Sequence, residues 1–206
     1  HDETAGNQAD ADDTTAAGVV ALFAGVSNIS TGLSPAGYAQ EPSAVVSSTG
    51  SSLGADQEGG TTAFSLAVSA AGVDSGLDTT DGTSIFLFKE GDLVVGRIGG
   101  AAGAAAFAVA INSGTGVVSV AQYASLKHPG TANPDDSVSI TDGALLAVVT
   151  VTDGDGDTAT SSTGIGDAVQ FQDDGPTAGI VQGAATVAHD ETAGNQADAD
   201  DTTAAG

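Results

Sequence analysis

Apolar and polar residues alternate along several stretches of this 206-residue chain, which is the pattern of β-strands that bury one face. In the segment 63–69, Phe64, Leu66 and Val68 share one face and two serines lie on the other. The segment 106–111 repeats this alternation, with alanines opposite the larger side chains. Helical periodicity is weak throughout, because 30 glycines interrupt it. The pattern therefore predicts an all-β fold.

Turn residues between apolar segments predict two hairpins. They join residues 85–88 to 93–98 and residues 106–111 to 117–121. In the first hairpin Gly91 supplies the positive φ that a tight turn requires. The segment 145–151 is apolar on both faces, which indicates a central strand.

Two further segments are less regular. Residues 18–29 fit either a pair of strands or a short helix, and both interpretations stay open. Residues 43–60 are rich in serine and glycine and predict a long loop. Together with the predicted strands, this organisation favours a β-sandwich.

The opening of the chain, HDETAGNQADADDTTAAG at His1 to Gly18, recurs without change at His189 to Gly206. Such identity indicates a parent protein with nearly identical tandem copies. We therefore expect residues 1–188 to be one complete repeat and residues 189–206 to open the next. One domain per repeat is the simplest organisation, and a division near residues 99–105 is the alternative.

Acidic residues outnumber basic ones by 27 to 3, so the formal net charge is −24 at neutral pH. Five of the 27 lie in the second copy of the opening, which leaves 22 acidic residues and a net charge of −19 per repeat. This charge excludes nucleic acids and anionic membranes as electrostatic partners and favours cations. Disorder is the alternative for such a chain, but 40% of its residues are apolar and they alternate along strands.

The sequence lacks both cysteine and a long apolar stretch, which bears on how the fold is stabilised and whether it enters a membrane. The chain has no cysteine, so disulfide bonds do not stabilise it. Its longest weakly polar stretch, residues 99–111, is too short for a helix that spans a bilayer. We expect no membrane insertion of this segment.

Three aspartates, Asp153, Asp155 and Asp157, alternate with glycines directly after the predicted central strand. On an extended strand, carboxylates two residues apart are separated by about 6 to 7 Å. Glycine allows the backbone to curl until the oxygens reach the roughly 2.4 Å at which calcium is bound. Thr158 and Gly164 stand where an EF-hand loop has glycine and glutamate, so a calcium site between strands is predicted instead. A solvated acidic turn is the alternative.

A second acidic group, Asp173 and Asp174, follows the predicted strand 168–172 in the sequence DDGP. Pro176 cannot continue a central strand, so this tetrapeptide is predicted to be a strand exit at the edge of the domain.

The second copy of the opening brings Asp190 and Glu191 close to this exit in sequence. Acidic groups on both sides of one short linker predict a calcium ion at the junction between repeats. Their equivalents in the first copy, Asp2 and Glu3, have no DDGP sequence upstream, so we expect an incomplete and weaker site there.

A third acidic group comprises Asp10, Asp12 and Asp13. A calcium-ligand loop and a soluble turn are equally good interpretations of it.

The order of several motifs resembles the repeat unit of large RTX adhesins that type I systems secrete. The motifs are HDETAG, GTTAFSLAVSAAGVDSGLDTT, LVVGR, AFAVAINSGTGVVSVAQYASLKHP, VTVTDGDGDTAT and FQDDGP. The resemblance is best over residues 60–176, and DGDGDTA and DDGP are its most specific parts. Residues 43–60 are not matched to it, and the role of this loop stays open.

The resemblance implies a calcium-bound β-sandwich of the immunoglobulin-like or cadherin-like kind. Such a repeat is a structural extender that projects the distal binding domains of an adhesin from the bacterial cell surface, for attachment and biofilm formation. Its implied partners are calcium ions and the neighbouring tandem repeats of the same chain, and its implied location is extracellular.

Enzyme motifs are weak in this sequence. Residues 50–54 fit the G-x-S-x-G pattern of hydrolases but lie in the predicted loop, without the strand and helix that the motif requires. The histidines have no nucleophile nearby in sequence, so we predict that the chain is not an enzyme. The alternative function is a module that binds a sugar or a protein through calcium. The low aromatic content, two tyrosines and no tryptophan, disfavours a sugar platform.

Overall fold

The computed structural model of the protein describes residues 1–3, 11–55, 57–130, 136–176 and 178–189. His1–Gly175 form one compact unit and Pro176–Gly206 form a second. In the described part of the second unit the chain has neither strand nor helix. Three large apolar side chains are almost fully exposed there: Ile180, Val181 and Val187.

The described residues of the first unit form one short helix, α1 (Ala17–Leu22), and eleven strands. The strands are β1 (Gly37–Gln40), β2 (Thr61–Val68), β3 (Val73–Asp78), β4 (Ser84–Glu90), β5 (Leu93–Ile98), β6 (Ala105–Ile111), β7 (Val118–Gln122), β8 (Ser137–Ser139), β9 (Leu145–Thr152), β10 (Thr158–Gly164) and β11 (Gln170–Gln172). The predicted all-β fold is confirmed.

The strands form antiparallel sheets that pack as a sandwich. A six-stranded sheet has the order β1-β7-β6-β5-β4-β3, and a three-stranded sheet has the order β10-β9-β2. Strand β2 packs across β4, β5 and β6, which brings the two sheets face to face. A two-stranded ribbon, β11-β8, completes the unit and contributes to the same core.

Phe107 lies at the centre of the core between the sheets. It is fully buried, and its ring centroid lies 5.2 Å from that of Phe171 on the ribbon. Gly96 on the neighbouring strand β5 makes room for this ring, since a Cβ there would lie 2.5 Å from it. Apolar side chains from both sheets surround the pair, including Leu66, Leu87, Val94, Val109 and Leu145.

The other face of the six-stranded sheet is covered as well. Val19 on α1 and Phe23 just after it pack with Tyr38 and Tyr123 in a second apolar cluster. Strand β6 therefore has buried residues on both of its faces, with small alanines on the helix side. Ala105, Ala108 and Ala110 are thus part of a second buried layer, whereas Ala106 belongs to the core around Phe107.

The structure confirms both predicted hairpins and the central position of β9. Gly91 has a φ of 61° in the β4–β5 turn, as expected. Of the two interpretations left open for residues 18–29, the short helix is correct, although it ends at Leu22. The strand predicted over residues 168–172 begins later, at Gln170, because a single turn of 3-10 helix precedes it.

Residues 99–105 do not divide the unit, because they join the paired strands β5 and β6 of one sheet. The described residues between 43 and 60 form the predicted loop. No helix among the described residues is long and apolar enough to cross a membrane.

Candidate metal centres

The loop that joins β9 to β10 brings three carboxylates together. Asp153 Oδ1 accepts hydrogen bonds from the backbone N–H groups of Gly156 (3.1 Å) and Asp157 (2.9 Å), which curl the chain. Gly156 has a φ of 101°, a conformation that favours glycine. As a result Asp153, Asp155 and Asp157 each place one carboxylate oxygen within 4.8 Å of the others.

This group of oxygens favours the binding of a positive charge. The pKa of Asp153 lies below its usual range, mainly because of a hydrogen bond between its carboxyl group and that of Asp155. The backbone N–H groups of Asp157 and Gly156 add to this effect. Carboxylates held so close together repel one another unless a proton or a cation lies between them. An all-oxygen donor set suits calcium.

A second acidic group forms where the opening of the chain lies beside β11. Residues 1–3 run parallel to this strand, with Asp2 opposite Gln172. The backbone N–H of Glu3 donates to the carbonyl of Gln172 (3.0 Å), and the N–H of Gln172 donates to the carbonyl of His1 (2.8 Å). Asp173 follows directly on β11, so this pairing brings Glu3 to the acidic exit of the same repeat.

The side chain of Glu3 is buried, and it is held by donors from another part of the unit. Its Oε1 accepts hydrogen bonds from Gln122 Nε2 (2.7 Å) and from the backbone N–H of Leu126 (2.8 Å). Burial raises the pKa of Glu3, and these hydrogen bonds and the nearby His128 oppose the shift only in part. The ionised carboxylate thus gains from any positive charge placed beside it.

His128 is the closest source of such a charge. Its side chain is 2% exposed, with Nε2 3.5 Å from Glu3 Oε1 and Nδ1 3.6 Å from Asp136 Oδ1. Among the described residues, neither this Nδ1 nor this Oδ1 has a hydrogen-bond partner. Glu3, His128 and Asp173 each place one ligand atom within 4.8 Å of the others.

The donors of this second group allow two ways of balancing its charge. Carboxylate oxygens suit calcium, whereas an imidazole nitrogen is more typical of zinc and other transition metals. A protonated His128 would neutralise the same carboxylates without any metal. The Asp153 loop, whose donors are all oxygens, is therefore the better candidate for binding calcium.

A family model described as a domain of unknown function (DUF5801) matches residues 1–166, about four fifths of the chain. The chain belongs to the DUF5801 family. No curated protein and no solved structure matches it. The matched region contains Glu3, His128 and the whole Asp153 loop, and it ends before β11 and Asp173.

In this DUF5801 domain, the structure changes the prediction for Asp2 and Glu3. The sequence predicts an incomplete acidic group there, because no DDGP sequence stands before Asp2 and Glu3. In the structure, Asp173 of the same repeat lies beside Glu3. The opening segment pairs with the last strand of its own unit, so an acidic partner reaches Glu3 without a DDGP sequence upstream. The weaker binding expected at this site stays a prediction. Asp174 is exposed, and its backbone N–H donates to Asp173 Oδ1 at 3.0 Å.

The predicted group at Asp10, Asp12 and Asp13 is described only in part. The Asp13 carboxylate is buried, with Oδ1 2.8 Å from His1 Nδ1, so it holds the opening segment in place. Asp12 contributes its backbone carbonyl, which accepts a hydrogen bond from the N–H of Gln40. Neither belongs to a three-ligand group among the described residues. Asp10, Asp190 and Glu191 lie outside the described residues.

Sequence reasoning missed Gln122 and His128 as neighbours of Glu3, and Asp136 as a neighbour of His128. No spacing could have revealed them, because most of the unit separates them from Glu3 along the chain. The one local signal is Gln122, a fully buried polar residue that ends the buried strand β7. A buried amide needs a polar partner, and Glu3 supplies it.

The G-x-S-x-G sequence at residues 50–54 lies in a loop of this DUF5801 domain. Ser52 Oγ accepts a hydrogen bond from the backbone N–H of Gly54 (3.1 Å), as in an ordinary serine turn. Neither a strand nor a helix flanks it among the described residues 41–60, so the geometry of a nucleophile elbow is not formed.

Proposed function

We propose that this domain is a calcium-stabilised spacer repeat of a large bacterial surface adhesin. It acts outside the cell and holds distal binding domains away from the surface, for attachment and biofilm formation. The observation that best supports the proposal is the β9–β10 loop, whose backbone is folded so that three carboxylate oxygens converge. The resemblance to RTX adhesin repeats supports the same function.

The charge distribution supports a need for cations. Arg97, one of three basic residues, is buried and makes two hydrogen bonds to the Glu90 carboxylate, at 2.7 and 2.8 Å. Its charge is therefore balanced within the unit. Only Lys89 and Lys127 remain as exposed basic side chains among the described residues, against an excess of carboxylates. Bound calcium reduces the repulsion that opposes compaction.

The tandem identity supports a spacer more than a specific receptor. Residues 189–206 repeat residues 1–18 unchanged, which indicates that copies were kept alike. Identical copies in series add length and stiffness but no new binding specificity. Neighbouring repeats of the same chain are then the main protein partners of this domain.

One observation favours the alternative, a module that binds a sugar or a protein through calcium. A groove of about 230 Å³ lies beside the Asp153 loop, between residues 52–54 and the start of β10. Asp153 and Asp157 line it, so an ion there would face a ligand in the groove. This interpretation predicts that a bound ligand raises calcium affinity, which a spacer does not require.

Thermal unfolding of the full chain tests the proposed function. We expect a much higher Tm in millimolar calcium than in chelator, because each site saturated at about 100 times its Kd adds roughly 2.7 kcal/mol. Magnesium at the same concentration is expected to stabilise less, since it demands compact octahedral geometry and retains its water. A shift of less than a few degrees in calcium would refute the proposal. Equal shifts with both ions would indicate diffuse screening instead.

A further inference from the structure

The opening segment is residues 1–18, and its described parts, residues 1–3 and 11–18, are held by the body of the unit along two strand edges. Residues 1–3 pair with β11, which is the edge of its ribbon. Further on, the N–H of Thr14 donates to the carbonyl of Tyr38 (2.9 Å), and the carbonyl of Asp12 accepts from Gln40 (2.8 Å) on the edge strand β1. Edge strands present unpaired backbone groups, and an added strand satisfies them.

Side chains make this attachment specific. The carboxylate of Glu3 is inserted between Gln122 and Leu126, as described above. The ring of His1 lies against Gly37, where a Cβ would come within 1.6 Å of Nε2, so only glycine leaves room for it. We call this set of contacts on β1, β11 and their neighbours the docking slot.

The chain carries a second segment that matches the docking slot. Residues 189–206 are identical to residues 1–18 at every position, so every side-chain and backbone contact of the opening segment is available to them. The tether that precedes this second copy, residues 176–188, reaches at most about 43 to 47 Å when fully extended. Returning from Gly175 to the position beside Gln170 requires only about 17 Å. The tether therefore permits docking at high local concentration.

We propose that residues 189–206 compete with residues 1–18 for the docking slot of the preceding repeat. A repeat is then closed either by its own opening segment or by the opening segment of the next repeat. This exchange does not require bound calcium, so the experiment that tests it is independent of the test of the proposed function. In a tandem array it would link neighbouring repeats by strand exchange.

Disulfide trapping in the full chain detects the exchange, because the protein has no cysteine of its own. Asp2 lies opposite Gln172, and neighbouring strands have the Cα separation that a disulfide needs. The pair Asp190→Cys and Gln172→Cys therefore traps the second copy in the slot. The pair Asp2→Cys and Gln172→Cys is the positive control. The pair Val187→Cys and Gln172→Cys, just outside the copied segment, measures random collision.

Three substitutions shift the competition in known directions. Glu3→Ala weakens the first copy and should raise trapping at Asp190→Cys by about tenfold, because two hydrogen bonds to a buried carboxylate are lost. Glu191→Ala weakens only the second copy and should lower trapping by a similar factor, without changing the folded body. Gly37→Ala obstructs the slot for both copies and should lower trapping in both disulfide pairs.

The expected product is a monomer with an internal disulfide, seen as a change in mobility on a non-reducing gel. Trapping at Asp190→Cys that does not exceed the Val187→Cys background would overturn the proposal. So would trapping that is insensitive to Glu191→Ala, a variant whose folding is not in question. Disulfide-linked dimers alone would show exchange between chains and would contradict the intrachain assignment.

Discussion

At the scale of single residues, Glu3 shows how a charged group holds distant parts of the chain together. Its buried carboxylate accepts hydrogen bonds from Gln122 and Leu126, although burial raises its pKa. Glu3→Ala removes the acceptor of the Leu126 N–H and of one Gln122 N–H, while Gln122 Nε2 keeps its hydrogen bond to the Ala124 carbonyl. We expect a loss of about 1 to 3 kcal/mol for each unpaired N–H. Urea denaturation in chelator measures this loss.

Glu3→Gln is the matched control, because its amide oxygen still accepts from both donors while the charge is removed. In chelator we expect it to unfold within about 1 kcal/mol of the natural protein. In calcium it should gain less stability than the natural protein if Glu3 is a ligand. A glutamine variant as unstable as the alanine variant in chelator would show instead that the charge itself, paired with His128, stabilises the fold.

Tyr123 gives a prediction at alkaline pH. Burial raises the pKa of its phenol well above the usual range, with a smaller contribution from Tyr38. The fold thus favours the neutral phenol, so this contribution to stability is complete below the ordinary tyrosine pKa near 10 and is lost as pH rises beyond it. In a Tyr38→Phe variant Tyr123 is the only tyrosine. Tyrosinate absorbance should then rise together with the loss of circular dichroism. Ionisation of a still folded protein would contradict this.

At the scale of secondary structure, the β9–β10 hairpin carries the clearest calcium prediction. Asp155→Asn keeps the size of the side chain but removes one charged oxygen from the group of three. We expect unchanged or slightly better stability in chelator, because repulsion falls, and a smaller gain in calcium. The matched control is Asp92→Asn, an exposed aspartate at the turn of the β4–β5 hairpin. Thermal unfolding of both variants with and without calcium makes the comparison. An equal loss in both would mean that only net charge matters.

The strands and loops also differ in how well they could be predicted from the sequence. Alternation predicted β2 and β6, and the turn at Gly91 predicted β5 as the second strand of a hairpin. Strand β10 gives no such signal, since its residues are polar and exposed at the edge of a sheet. The Asp153 loop was predictable because all of its ligands are local. The group around Glu3 was not, because it depends on pairing between the two ends of the unit.

At the scale of the whole molecule, stiffness depends on the linker between repeats. The junction ion stays a prediction, since Asp190 and Glu191 lie outside the described residues. Glu3, the equivalent of Glu191, is buried beside Asp173 of its own repeat, so Asp174 and Asp190 become the more important ligands of such an ion.

Small-angle X-ray scattering of a two-repeat protein tests this prediction of a junction ion. Calcium should lengthen it, and Asp174→Ala or Asp190→Ala should reduce that effect, whereas Asp92→Ala should not. Equal bending with and without calcium would exclude the junction ion.

The parallel pairing of residues 1–3 with β11 has a mechanical consequence. If the domain is the surface spacer proposed above, tension would pull on both ends of each repeat. Because the first and last strands run side by side in the same direction, tension draws them past each other in shear. In shear, the two backbone hydrogen bonds between Gln172 and the opening segment carry the load together, as does the hydrogen bond from Leu126 to the Glu3 side chain. Peeling would instead break these bonds one after another. In the proposed spacer, tension would therefore load this short contact, and its rupture would free residues 1–3 from β11.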